Sequence, residues 1–109
     1  MKRGEIWTIA GGPDYAAKPR PAIIVQSDRF DGTLSVSICP LTTAEVETTH
    51  IRFAIQPTPG NGLLIPSYVM VDKISTVPRS KLGRQIGRLG KAQVALLNQQ
   101  IAVFLGLAG

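Results

Sequence analysis

The sequence predicts a mainly β (α+β) fold: a small barrel of short strands with one amphipathic helix laid against it at the C-terminal end. Three observations lead there. Up to about residue 89 the apolar residues fall into short segments, most of them alternating with polar residues, and Gly, Pro or Asp punctuates the gaps. From Gly90 the apolar period changes to three and four. No helical segment stands between successive strands, so a βαβ architecture with a parallel sheet is not expected.

Taken in order, Glu5-Ile6-Trp7-Thr8-Ile9 alternates, a short strand with Ile6 and Thr8 on one side and Glu5, Trp7 and Ile9 on the other. Residues 10–19 contain Gly11-Gly12-Pro13-Asp14, which cannot stay in a ladder and makes a loop. Ala22-Ile23-Ile24-Val25 is a continuous, mostly β-branched run, as expected of a strand covered on both faces at the middle of the core. Ser27 to Thr33 returns the chain, with Asp31-Gly32 supplying a turn that accepts positive φ. In Leu34-Ser35-Val36-Ser37-Ile38 the apolar residues face the core and the serines face out, and the strand is expected to end at Cys39-Pro40. Residues 44–50 form a polar loop, 51–55 (IRFAI) another alternating strand, and Gln56 to Pro66 a long turn. Ser67 to Ser75 (SYVMVDKIS) reads as one longer strand that turns polar at Asp72-Lys73. Pro78 to Leu82 reads as a tight helical turn and Gln85 to Leu89 as a last short strand. Val94, Leu97, Ile101 and Phe104 then share one face of a helix ending at Gly106.

A chain of 109 residues with 44% hydrophobic residues folds as one domain, 1–109, and buries about two-thirds of its unfolded surface. So apolar a chain is expected to cover part of that surface in an oligomer. Twelve Lys+Arg against seven Asp+Glu leave a net charge of +5, enough to attract a polyanion. Cys39 is the single cysteine, which excludes an intrachain disulfide and reads as a small buried hydrophobe. Glu5 interrupts the basic start before any apolar stretch, so no signal peptide is expected, and no apolar run is long enough to span a bilayer. The expected location is the cytoplasm, with no membrane contact. No cluster of His, Cys and carboxylates has ligand spacing, so no metal or other cofactor is expected.

Among candidate site residues, Arg20 stands between Pro19 and Pro21. Pro21 biases Arg20 to extended angles and Pro19 fixes its own φ, so the guanidinium sits on a stiff bracket. Its planar fork suits a phosphate or a carboxylate, and the alternative is a solvated charge capping a strand. Arg79, Lys81, Arg84 and Arg88 form either a phosphate track or a solvated basic face. Tyr15, Phe30 and Tyr68 are possible base stackers, Tyr15 being the more credible one, whereas Trp7 reads as core. His50 stands alone ahead of a strand, where a structural or surface role suits it at least as well as proton transfer.

RGEIW at residues 3–7, a glycine-containing loop, RPAIIVQSD at 20–28, PLT at 40–42, VMVDKI at 69–74 and a terminal helix closing in FLGL together resemble the MazF/PemK toxins over essentially the whole chain. The resemblance implies a dimeric SH3-like barrel of the CcdB/PemK type. It also implies a metal-independent endoribonuclease that cuts single-stranded RNA and is neutralised by a cognate antitoxin protein. It places Arg20 and Thr42 as the catalytic pair, with contributions from Glu5, Thr43 and Asp72. The chain departs from the PemK-like branch at Met70, where that branch carries an arginine acting as general acid.

The residues by themselves fit that chemistry. RNA carries its own nucleophile, the 2′-hydroxyl, so a protein need only remove its proton, neutralise charge on the phosphate and help the 5′-oxygen leave. Arg20 and Thr42 serve as phosphate contacts, and Thr43, Tyr15, Lys18, His50, Arg79 and Arg84 as RNA-binding residues. Glu5 and Asp72 both remain open as the base, each needing a raised pKa. Each also has a plain structural reading: Thr42 as a turn terminator, Glu5 as a partner of Lys2 or Arg3, Asp72 as a solvated strand residue. Two other functions stand beside this one. A CcdB-like gyrase poison would need a C-terminal tryptophan, which the ending Leu107-Ala108-Gly109 lacks. An inactive SH3-like binding module is kept open by Met70.

Overall fold

The computed structural model describes residues 1–10, 18–44 and 51–108. Seven strands, β1 (Glu5–Ile9), β2 (Arg20–Ile24), β3 (Ser35–Thr42), β4 (Arg52–Ile55), β5 (Ser67–Met70), β6 (Ser75–Pro78) and β7 (Leu82–Arg88), precede one helix, α1 (Lys91–Phe104). The strands pair antiparallel in the order β4-β5-β3-β2-β1-β7, with β6 also along β3. This is the mainly β fold with a C-terminal helix that the periodicity predicts. In the expected barrel, however, no strand pairing joins β4 to β7.

The segment after β4 bridges that gap instead. Arg88 N donates to Gly60 O at 2.9 Å. At Gly62, with φ +70°, a Cβ would fall 1.9 Å from the Ile86 carbonyl oxygen, and one on Gly87 would fall 2.3 Å from the Asn61 carbonyl carbon. Two glycines therefore let the bridging segment and β7 meet backbone to backbone. Asn61, wholly buried, organises the bridge. Its Oδ1 accepts from Thr58 N and Leu63 N, both at 3.0 Å, and its Nδ2 donates to Gln56 O at 2.8 Å. The amide is thus satisfied on both sides.

β2 separates two apolar clusters. Ile23 and Val25 join the larger one with Ile6, Leu41, Val69, Val71 and Leu97, while Ala22 and Ile24 join Val36 and Ile38 on the other face. Ile6 faces the first cluster, and Trp7 and Ile9 face the second, so the alternation in β1 is expressed. Cys39 is fully buried, and burial pushes its thiol up to about 12, as suits a small core hydrophobe.

Several boundaries differ from expectation. Leu34 is 89% exposed rather than inward. The pairing of β3 with β6 begins at Ser35 opposite Pro78, so the alternation outruns the sheet by one residue. β3 does not end at Cys39-Pro40 but continues to Thr42 and changes partners there. It pairs with β6 over Ser35–Ile38 and with β5 over Leu41–Thr42, so the proline falls at the changeover. The stretch 67–75 is not one strand: a 3-10 turn at Val71–Lys73 divides β5 from β6. Gly32 does not take a positive φ; the return is made by a 3-10 turn at Asp28–Phe30, capped by Ser27 Oγ accepting from Arg29 N at 3.2 Å. The predicted turn after Pro78 is a 3-10 turn at Arg79–Lys81, and β7 starts earlier than predicted because Leu82 pairs with Ile9. On α1, Leu97 is buried and Val94 and Ile101 pack on the larger cluster, but Phe104, the last helical residue, stays 40% exposed. Gly106, with φ +77°, ends the helix.

Candidate active site

β2 and β3 run with Ala22 opposite Pro40 and Ile23 opposite Cys39. Continued by two residues, that register sets Arg20 opposite Thr42, on the face that carries Ala22 and Pro40. On this face lies a hollow of about 440 Å³, bordered by Arg20, Thr42, Met70, Lys73 and Ser75 over buried Ala22 and Ile38. The floor belongs to the smaller apolar cluster, so strand packing holds the polar border in place. Arg20 also faces Ile9 across β1, which ties its backbone on the side away from Thr42.

Thr42 has a defined hydrogen-bonding sense. Its Oγ1 accepts from Ala44 N at 3.2 Å, which leaves the hydroxyl hydrogen to donate to an anion in the hollow. Met70, where the PemK-like branch has an arginine, also borders the hollow, so that departure lies within the site. Lys73 is the residue that the sequence reading missed. Read as one straight strand, 67–75 makes Lys73 a solvated end; the 3-10 turn brings it to the hollow instead.

The two carboxylates considered as bases lie elsewhere. Neither Glu5 nor Asp72 borders the hollow. Glu5 is at the opposite end of β1, where Oε1 accepts from Lys2 N at 2.8 Å and from Trp7 Nε1 at 3.0 Å, and Oε2 meets Arg88 Nη2 at 3.5 Å. Burial pushes its carboxyl up, but the bonds from Trp7 and Lys2 and nearby positive charge outweigh it, leaving the pKa lowered. Asp72 takes a two-point clasp from Arg52, Nε to Oδ1 and Nη2 to Oδ2, each 2.9 Å. That clasp holds its carboxyl below the ordinary range against the opposing effect of burial. Both shifts run opposite to the raised values a base near neutrality requires.

The expected RNA-binding residues divide. Thr43 and Lys18 are exposed next to Thr42 and Pro19. Arg84 borders a second, shallower concavity with Thr8, Gly83 and Pro19, the last of which immediately precedes Arg20. Arg79 is occupied: Nε donates to Thr33 O at 2.8 Å and Nη2 to Asp31 O, so its guanidinium ties down the 31–33 segment and is not offered to a phosphate. Among the possible stackers, Trp7 packs on the smaller cluster, Phe30 sits beyond the far end of β2 from Arg20, and Tyr68 pairs with Thr42 in β5. Tyr15 and His50 lie outside the described residues.

Comparison with known proteins follows the same line. Residues 2–105 match the family described as PemK-like, MazF-like toxin of type II toxin-antitoxin system. The chain is 45% identical over 109 residues to a probable endoribonuclease MazF of Mycolicibacterium smegmatis, covering all of both chains. A solved mycobacterial endoribonuclease in complex with its cognate antitoxin superposes with a TM-score of 0.82 at 27% identity, over 100% of this chain and 98% of that one. The Mycobacterium tuberculosis toxin MazF-mt6 gives 0.80 at 28% identity, over 96% and 99%.

Proposed function

The chain belongs to the PemK-like, MazF-like toxins of type II toxin–antitoxin systems, and from that premise we propose that it is a metal-independent, sequence-specific endoribonuclease acting on single-stranded RNA. The observation that carries this reading is that Arg20 and Thr42, from different strands, border one hollow. A phosphodiester seated there receives the guanidinium on its non-bridging oxygens and the Thr42 hydroxyl as a second donor. As the 2′-oxygen attacks, charge accumulates on the phosphate, and both donors bind that charge more strongly than the ground state. The products are a 2′,3′-cyclic phosphate and a 5′-hydroxyl.

Glu5 and Asp72 act in this proposal as structural anchors, and the proton of the 2′-hydroxyl passes to water in the open hollow. Thr43, Lys18 and Arg84 contact the strand on either side of the cut, with Tyr15 and His50 as further contacts on segments whose structure is not described.

The whole chain, 1–109, works as one toxin domain in the cytoplasm. Among the described residues, no helix is long and apolar enough to cross a membrane. A homodimer fits the exposed apolar side chains of Leu64, Ile65, Leu105 and Leu107. The net charge of +5 favours an acidic, extended antitoxin segment that orders on binding. The test is incubation of the purified protein with a long RNA in EDTA, followed by end-group analysis. Discrete fragments with 5′-hydroxyl ends are expected, and RNA left intact over a range of sequences would overturn the proposal.

A further inference from the structure

We propose that Lys73 is a further catalytic residue, whose ammonium protonates the departing 5′-oxygen; this rests on the ribonuclease reading above. The argument is topological. Arg20 is on β2, Thr42 on the adjacent β3, and Lys73 on the turn joining β5 to β6, both of which pair with β3 on its other side. β3 therefore lies between the arginine strand and the lysine turn, which sits level with residues 38–40 rather than with Thr42, and Arg20, Thr42 and Lys73 all border the same hollow. Two strand spacings of about 4.8 Å and an offset of about two to three residues along β3 put the Arg20 and Lys73 backbones roughly 12–14 Å from each other. Two long side chains span that distance with a phosphate between them. In an in-line displacement the attacking and leaving oxygens lie on opposite sides of phosphorus, so one cation serves the phosphate and the other is placed for a flanking oxygen.

The adjacent acid is committed to another cation. Both Asp72 oxygens are taken by Arg52, and among the described residues Lys73 forms no ion pair. The Arg52 clasp also fixes the turn, since Val71 N donates to Ile51 O at 3.2 Å next to it. Lysine suits the task better than arginine, because an ammonium gives up and regains a proton while a guanidinium stays charged. In the step, the 2′-oxygen forms its bond to phosphorus and its proton passes to water. The bond from phosphorus to the 5′-oxygen breaks with its electron pair on oxygen, which takes a proton from Lys73. Water then reprotonates the amine.

The test uses an RNA with one cleavage site mapped with the wild-type protein, made in two forms, one with the normal 5′-oxygen at the scissile bond and one with sulfur there. A thiolate leaves without protonation. Lys73→Met is expected to cut the oxygen substrate at least about a hundredfold more slowly, the usual range for a lost general acid, and the sulfur substrate at close to the wild-type rate. Lys73→Arg keeps the charge and is expected to retain RNA binding while remaining slow on oxygen. Equal slowing on both substrates, or a Lys73→Met rate on oxygen matching wild type, would overturn the assignment and leave the ribonuclease reading standing. Failure of the wild-type protein to cut either substrate would overturn that reading itself. Thermal melts of both variants confirm that the folded protein is being compared.

Discussion

The two ends of β1 are built from the same sort of residues and arranged to opposite purposes. At the Glu5 end the charges are closed in: the carboxylate is bonded to Lys2, Trp7 and Arg88, and Arg88 in turn joins the Gly60–Gly62 bridge. At the Ile9 end the chain faces Arg20, and the arginine shares an open hollow with a threonine and a lysine. Satisfied hydrogen bonds make the first end rigid and chemically quiet. The second places Arg20, Thr42 and Lys73 around space a ligand can enter. The difference teaches that Glu5, paired with Arg88, helps hold the frame, while Arg20, Thr42 and Lys73 stand together at the border of a hollow.

Substitutions that separate stability from cleavage test this contrast. The largest effect is expected from Arg20→Ala, a loss of about a hundred- to a thousandfold in single-turnover RNA cleavage with the fold intact. Normal cutting by that variant would remove the open end from the mechanism. At the closed end, Gly87→Ala forces a Cβ into the Asn61 backbone and is expected to cost roughly 3 kcal/mol in urea unfolding, with cleavage per folded molecule preserved.

Asp72→Asn breaks the two-point clasp and is expected to cost roughly 2 kcal/mol at neutral pH. Because the folded-state pKa of Asp72 is lowered from an ordinary value of 3.8, its contribution is present above that value and lost as pH falls through the folded one. The wild-type protein should therefore lose more stability as pH falls below about 3.8 than Asp72→Asn does; parallel pH profiles would show that the clasp contributes nothing. Thr42→Val should slow cleavage about tenfold, the worth of one hydrogen bond, with only a small loss of melting temperature from the exposed Ala44 N bond it removes. The smallest change in rate is expected from Glu5→Gln, with cleavage within about twofold of wild type and a stability loss of about 1 kcal/mol. A Glu5→Gln variant that folds but no longer cuts would restore that carboxylate as a base and break the contrast.

Where local pattern decides structure, the sequence was legible. The alternation in residues 5–9 and the apolar run from Ala22 give β1 and the buried β2, and the change of period at Gly90 gives α1. What alternation cannot encode is where a partner strand stops. Leu34 continues the rhythm of β3 but has no strand beside it, and the 67–75 stretch keeps an apolar rhythm across a turn imposed by Arg52, twenty residues away from Asp72. That long-range clasp, invisible in the local pattern, also accounts for the placement of Lys73 at the hollow, whereas Asp72 is found by the family resemblance. Asn61 was hidden for a related reason: an asparagine between glycines reads as a surface turn, and only the approach of β7 buries it. Arg20 could be found because the prolines that restrain it are its immediate neighbours.

The partner exchange along β3 has a further consequence. Since side chains alternate across a pleat, the contents of the hollow depend on counting: inserting or deleting a single residue between Ile38 and Thr42 would turn the threonine toward the core and expose a leucine in its place. Within those few residues, therefore, one side chain can be exchanged for another, but their number is fixed by the cleft they line.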